Sequence, residues 1–112
     1  MAGLDPATQT LRHFPMPQGH VYILASKRNG TLYIGQTDSI SRRVWEHKTG
    51  AKLGFAGKHG VDRLVYYEVF EGREAAFAQE RAMKKWRRVW KLDLIEQLNP
   101  NWADLFDDLP PE

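Results

Sequence analysis

Two phenols, an arginine, a histidine and a glutamate are spaced along this chain so that they can meet: Tyr22, Tyr33, Arg43, His47 and Glu80. Tyr22 and Tyr33 stand on consecutive runs of β-branched and aromatic residues. On any hairpin closed by an even number of loop residues, these two positions project from the same sheet face. Gly35 falls on that face too, and its missing side chain would leave a hollow beside the phenols, useful if a phosphate must enter. Arg43 and His47 have the i, i+4 spacing that stacks them on one side of a helix, beside the apolar positions Ile40 and Val44. Glu80 adjoins Ala76 and Met83 at the edge of a helical stripe, and it is equally well spaced to pair with Lys84 on the surface. Each residue also has a plain alternative. Strand tyrosines pack cores, and charged residues form the solvated flank of amphipathic helices.

The elements that must carry these groups are legible from pattern. Residues His20 to Ala25 and Thr31 to Gly35 read as strands, and the Asn29-Gly30 dipeptide between them signals an antiparallel hairpin. A literal two-residue turn there would offset the phenols by four rungs, roughly 13 Å. A longer loop or ring tips that lean together would close the gap. Asp38 or Ser39 can cap a helix running through Ile40, Val44, Trp45 and Lys48 to a stop at Gly50. A glycine-rich basic loop from Ala51 to Gly60 precedes a third strand, Arg63 to Phe70, closed by Gly72. The segment Arg73 to Arg88 contains no Gly or Pro and reads as a long helix, with a further one over Trp90 to Leu98 ended by Asn99-Pro100. The order is ββαβαα: an α+β fold, a small three-stranded antiparallel sheet flanked by helices. Residues 1–18 read as a flexible arm, pinned at most by Leu11 and Phe14, residues 19–102 as one domain, and residues 103–112 as an acidic tail.

Composition narrows the function classes. With 112 residues, 42% of them hydrophobic and 27% charged, the chain has the balance of a single globular domain and not of a disordered one. The sequence contains no cysteine, so disulfides, thiolate zinc sites and cysteine nucleophiles are excluded, and any metal must sit on oxygen or imidazole. That composition, with no apolar leader or spanning segment, fits a cytoplasmic protein away from membranes. The formal charge is +2 overall, but residues 19–102 hold 15 Lys and Arg against 9 Asp and Glu, an excess of six. Such an excess suits a polyanion, and a solvated mixed surface would give the same count. Lys48, Lys52, Lys58, His59 and Arg63 surround the glycine-rich loop, and Lys84, Lys85, Arg87, Arg88 and Lys91 line the later helices. These residues can follow a phosphate backbone. Trp45, Trp86, Trp90 and Trp102 interleave with them. Most are expected in the core, and one exposed ring would give a platform for stacking bases.

Taken together, Val21-Tyr22, then Tyr33-Ile34-Gly35, then Arg43, His47, Glu80 and Asn99 resemble the signature of the GIY-YIG nucleases, in the same order and with similar spacing. The resemblance covers residues 19–102 and is greatest to small stand-alone bacterial members. The second motif is complete. In the first, His20 stands for the family's Gly and Val21 for its Ile, which sets a bulky ring where the pattern has none. The resemblance implies an endonuclease that hydrolyses phosphodiester bonds of DNA with one Mg²⁺ or Mn²⁺. Tyr22 would be the base or proton relay for the attacking water, with His47 taking up its proton and Tyr33 orienting water or phosphate. Arg43 would stabilise charge on phosphorus, Glu80 would hold the ion, and Asn99 would position the last helix or a phosphate.

Those residue types make chemical sense. A phenol with a pKa of about 10 is only ~0.1% ionised at neutral pH, so Arg43 and the ion are expected to lower it. Mg²⁺ keeps most of its waters, so a single carboxylate is enough in principle. Small size, basic loops and tryptophans favour single-stranded or irregular DNA. Two rivals stay open: a nucleic-acid-binding module whose chemistry is lost through His20, and a scaffold that offers its basic face to an acidic protein.

Overall fold

Every residue of β1 (Gly19–Ala25) is buried, which makes it the middle of the sheet in both directions, between two strands and between two layers. The computed structural model describes residues 18–51 and 60–110. Within them β1 is flanked by β2 (Leu32–Thr37) on one side and β3 (Arg63–Phe70) on the other, both antiparallel to it. The helices α1 (Ile40–Thr49), α2 (Arg73–Lys85) and α3 (Arg88–Leu98) complete the expected ββαβαα order, and a 3₁₀ turn (Phe106–Asp108) follows.

Alternation along β1 sends its side chains into two cores. Val21, Ile23 and Ala25 meet Ala76 and Met83 of α2, Ile95 of α3 and Trp102. Tyr22 and Leu24 meet Ile40 and Val44 of α1 together with Val61 and Leu64. A register shift opposite Ile23 and Leu24 inserts an extra residue into β3, so that Val65 and Tyr66 both serve the first core while Leu64 still faces the second.

The β1–β2 connection is longer than a two-residue turn. It runs from Ser26 to Thr31, closed by Ser26 N–H donating to Thr31 O at 3.0 Å and Thr31 N–H donating to Ser26 Oγ at 3.0 Å. Asn29 takes the left-handed backbone its residue type tolerates, with φ 59°. The resulting register pairs Tyr22 with Gly35 and Leu24 with Tyr33, so the phenols stand two rungs apart instead of four. Asn29-Gly30 thus marks the turn but does not set its length.

Three other expectations change. The long helix ends at Lys85, before Arg88, because Trp86 and Arg87 are extended. Trp86 packs against the first core from that position, and tertiary contact overrides helix propensity. The tryptophans divide evenly: Trp102 is fully buried and Trp86 packs on the first core, but Trp45 and Trp90 are 52% and 50% exposed. Residues 103–110 do not hang free as a tail. Leu105, Phe106 and Leu109 pack on the second core, and the Asp104 carboxylate accepts from Leu64 N at 3.2 Å and Phe106 N at 3.1 Å while pairing with Lys48. The expectations for the arm before residue 18, and for Lys52, Lys58 and His59, lie outside the described residues.

His20 does not disturb the first motif. Its backbone pairs with Thr37 and Val69, and its ring is buried with Nδ1 3.3 Å from Thr37 O. The position that tolerates no side chain is Gly19, where a Cβ would lie 2.5 Å from Cβ of Ala76 and 3.1 Å from Gly72 O. Gly19→Ala is therefore expected to cost about 1–3 kcal/mol, the scale of overpacking a core. Urea unfolding would read this as a lower midpoint at unchanged slope; an unchanged midpoint would mean that α2 docks against β1 more loosely than described.

Candidate active site

Three rings from three elements meet at the open edge of the second core. The Tyr22 ring, from β1, lies over Gly35, whose added Cβ would come 2.5 Å from the phenol oxygen and 2.6 Å from Cζ. The space left by Gly35 is thus filled by Tyr22 itself and is not an empty hollow for phosphate. Tyr33, from β2, has its ring centroid 6.3 Å from that of Tyr22. His47, from α1, lies 6.1 Å from the Tyr22 centroid and 5.4 Å from that of Tyr33. Ile40 and Val44 bury one side of α1 in the second core, and that docking turns His47 toward the sheet. Its Nε2 stands 3.3 Å from the Tyr22 hydroxyl.

Burial and neighbouring charges favour the uncharged form of both groups. Burial raises Tyr22 above its ordinary 10.0, Tyr33 adds to this, Arg43 opposes it, and Glu80 and Glu46 add smaller increases. Burial lowers His47 below its ordinary 6.5, Arg43 lowers it further, and Glu46 works the other way. Arg43 therefore acts in the expected direction on Tyr22, but desolvation outweighs it and the phenol stays protonated. A protonated phenol beside a neutral imidazole donates to Nε2 in the tautomer that carries the ring proton on Nδ1.

Arg43 stands one turn before His47, half-buried, 4.0 Å from Glu46. Glu80 comes from α2, which packs on β1 and β2, and its charge is near enough to act on Tyr22. Its side chain is only 15% exposed, and one carboxylate oxygen lies 3.1 Å from Lys84 Nζ, the pairing that their spacing allowed. Among the described residues no three His, Cys, Asp or Glu cluster as a ready-made metal cage. A lone, partly shielded carboxylate fits a hard cation that keeps most of its waters and takes further oxygens from a phosphate.

The structure brings Tyr22, Tyr33, Arg43, His47 and Glu80 into one neighbourhood and disperses much of the basic set. Lys48 donates to Asp62 O at 3.0 Å, pairs with Asp104 and lies 5.3 Å from the Phe106 ring centroid, so it ties the C-terminal segment down. Arg63 donates to Trp102 O at 3.1 Å. Arg88 donates to Asn29 O at 2.8 Å and Gly30 O at 2.7 Å, clamping the hairpin loop. Lys84 is held by Glu80, whereas Lys85 is exposed on α2. Asn99 is buried, and its amide donates to Val65 O at 3.1 Å and Ala103 O at 2.9 Å while accepting from Ala103 N at 3.1 Å. It holds the end of α3 against β3 and presents nothing to a phosphate. Sequence reasoning passed over Arg73 and Phe77, which line a cleft with Arg43. Their spacing to Glu80 along α2 was the available signal.

Comparison with known proteins supplies the relatives. The profile of the GIY-YIG catalytic domain matches residues 18–93. A UPF0213 protein of Clostridium perfringens is 37% identical over 76 residues, covering 68% of this chain and 81% of that protein. A UPF0213 protein of Haloquadratum walsbyi is 33% identical over 78 residues, covering 70% of this chain and 86% of that protein. The solution NMR structure of a UPF0213 protein from Bacillus halodurans superposes with a TM-score of 0.49 at 28% identity, covering 78% of this chain and 92% of that one.

The site makes a pH forecast. In an NMR titration of the ring protons, His47 should show a midpoint below 6.5. Because the fold favours the neutral ring, the unfolded chain takes up the proton more readily. His47 therefore costs stability as pH falls from 6.5 through its lowered midpoint. Arg43→Gln should move that midpoint upward but only part of the way, since burial is the larger cause. A wild-type midpoint at or above 6.5 would contradict the arrangement.

Proposed function

Because this chain belongs to the GIY-YIG catalytic domain family, we propose that it is a metal-dependent endonuclease hydrolysing phosphodiester bonds of DNA. The observation that carries the reading is the Tyr22 hydroxyl, 3.3 Å from Nε2 of a His47 whose neutral form the fold favours. A buried phenol cannot wait as phenolate. It can act as a relay, its oxygen accepting a proton from the attacking water while its own proton passes to Nε2. The water oxygen forms the new bond to phosphorus, the bond to the leaving oxygen breaks, and solvent supplies that oxygen's proton. His47 ends the step as imidazolium and then loses its proton readily, since burial and Arg43 both disfavour the charge.

Arg43 meets the charge on the phosphoryl oxygens, and Tyr33 borders the space where water must sit. Glu80 would hold a Mg²⁺ or Mn²⁺ ion, which when bound supplies positive charge at the leaving oxygen. Lys84, the exposed partner, would then release the carboxylate, and an i, i+4 pair on a helix yields at little cost. Half-exposed Trp45 and Trp90 support a preference for single-stranded or irregular DNA, whose bases are free to stack.

Tyr22→Phe keeps the ring over Gly35 but removes the relay, so turnover should fall about a hundredfold or more. Initial rates on end-labelled DNA would check this, and normal turnover by the folded variant would move the base elsewhere. Glu80→Gln should abolish cleavage across a Mg²⁺ titration while DNA affinity in EDTA stays equal or tightens slightly, because one repulsive charge is gone. If Glu80 serves only Lys84, cleavage persists and stability drops by less than ~0.5 kcal/mol. Single-stranded DNA should be cut faster than duplex of the same sequence. Equal rates would defeat that preference, and DNA binding insensitive to salt would favour a scaffold role instead.

A further inference from the structure

Arg43 faces more than the three rings. It also lines a polar cleft of about 170 Å³ with Gln36, Thr37 and Asp38 on one side and Arg73 and Phe77 of α2 on the other. Gln36 follows Gly35, the residue paired with Tyr22, so the cleft begins one residue from the candidate active site. Two arginines from different helices thus share one opening with a single carboxylate, Asp38, an excess of positive charge that suits an anion with several oxygens. Arg73 is 59% exposed, and its Nη2 donates to Asp38 Oδ2 at 2.9 Å. That bond uses one of the five N–H groups of the fork, so Asp38 fixes the side chain without exhausting it.

Phe77 gives the cleft an apolar rim. It is 43% exposed, one turn beyond Arg73 and one turn before Glu80 on the same side of α2. Arg73 and Glu80 are separated by roughly 10 Å along the helix axis, so they serve different points of an extended strand, with an aromatic ring between them. A phenylalanine stacks on any base and reads no sequence.

We infer that this cleft is a subsite for the nucleotide next to the scissile phosphate, in which Arg73 binds the neighbouring phosphate and Phe77 stacks on the base. The inference rests on the endonuclease reading and adds residues to it that act on binding and not on the chemical step. Arg43 stands at the junction, serving the scissile phosphate on one side and bordering the subsite on the other.

The test replaces one phosphate at a time by uncharged methylphosphonate on either side of the mapped cut in a single-stranded oligonucleotide. In wild type, one neighbouring position should raise KM about tenfold and leave kcat nearly unchanged. Arg73→Ala should raise KM on unmodified DNA by a similar factor and show no further loss at that one position. Phe77→Ala should raise KM about tenfold, the scale of one lost stack, and Phe77→Trp should restore it. Arg73→Ala losses that simply add to every methylphosphonate, or an unchanged KM for Phe77→Ala, would overturn the subsite while the nuclease reading stands. A second measurement, affinity for oligo-dT in EDTA, separates the two ideas. Weaker binding by both alanine variants, with extra fluorescence quenching of Phe77→Trp on binding, supports the subsite even if nothing is cut. Unchanged affinity of both variants in EDTA would overturn it there too.

Discussion

A hydroxyl carried on a fully buried strand must find a partner, and Tyr22 finds His47. Leaving that group unpaired would cost on the order of 1–3 kcal/mol, so the pairing constrains everything around it. The β1–β2 register has to set Gly35 opposite Tyr22, because any side chain there would collide with the phenol ring. Helix α1 has to dock through Ile40 and Val44 so that His47 reaches the sheet. The loop from Ser26 to Thr31 has to be long enough to give that register, and Arg88 of α3 holds its carbonyls in place. A structural need and a chemical one coincide in one hydrogen bond.

Charge around this bond is balanced and not simply positive. Arg43 lowers both Tyr22 and His47, while Glu46 raises both. Burial remains the first cause at each group and pushes them in opposite directions, the acid toward its protonated form and the base toward its neutral form. Both are thereby kept uncharged and able to exchange a proton. Of the two carboxylates that act on Tyr22, Glu46 lies beside Arg43 and Glu80 is shielded by Lys84.

The basic residues divide into two populations. Lys48, Arg63 and Arg88 spend their donors on the protein's own carbonyls and on Asp104, and they join segments far apart in sequence. Arg43 and Arg73 each stand beside a carboxylate, Glu46 and Asp38, and also open onto a common cleft beside the rings. A count of lysines and arginines therefore overstates the surface available to a polyanion. It also hides that the most useful pair lies beside the site, on different helices.

By itself the sequence determined the elements and their order, because period-two runs, helix-forming stretches and glycine stops are local signals. It also put Tyr22, Tyr33 and Gly35 on one face through parity, and Arg43 and His47 on one side of a helix through their spacing. Only the tertiary structure decided the rest. Loop length, and with it the rung on which the phenols stand, depends on the whole β1–β2 pairing and not on Asn29-Gly30. Whether a lysine binds phosphate or a backbone carbonyl depends on which segment folds against it, as Lys48 and Asp104 demonstrate across distant parts of the chain. The same applies to Asn99, whose amide is consumed by Val65 and Ala103, and to Trp86, which leaves the helix to meet the core. The protonation of Tyr22 and His47 is likewise a tertiary property, since desolvation exists only once both faces of the strand are covered.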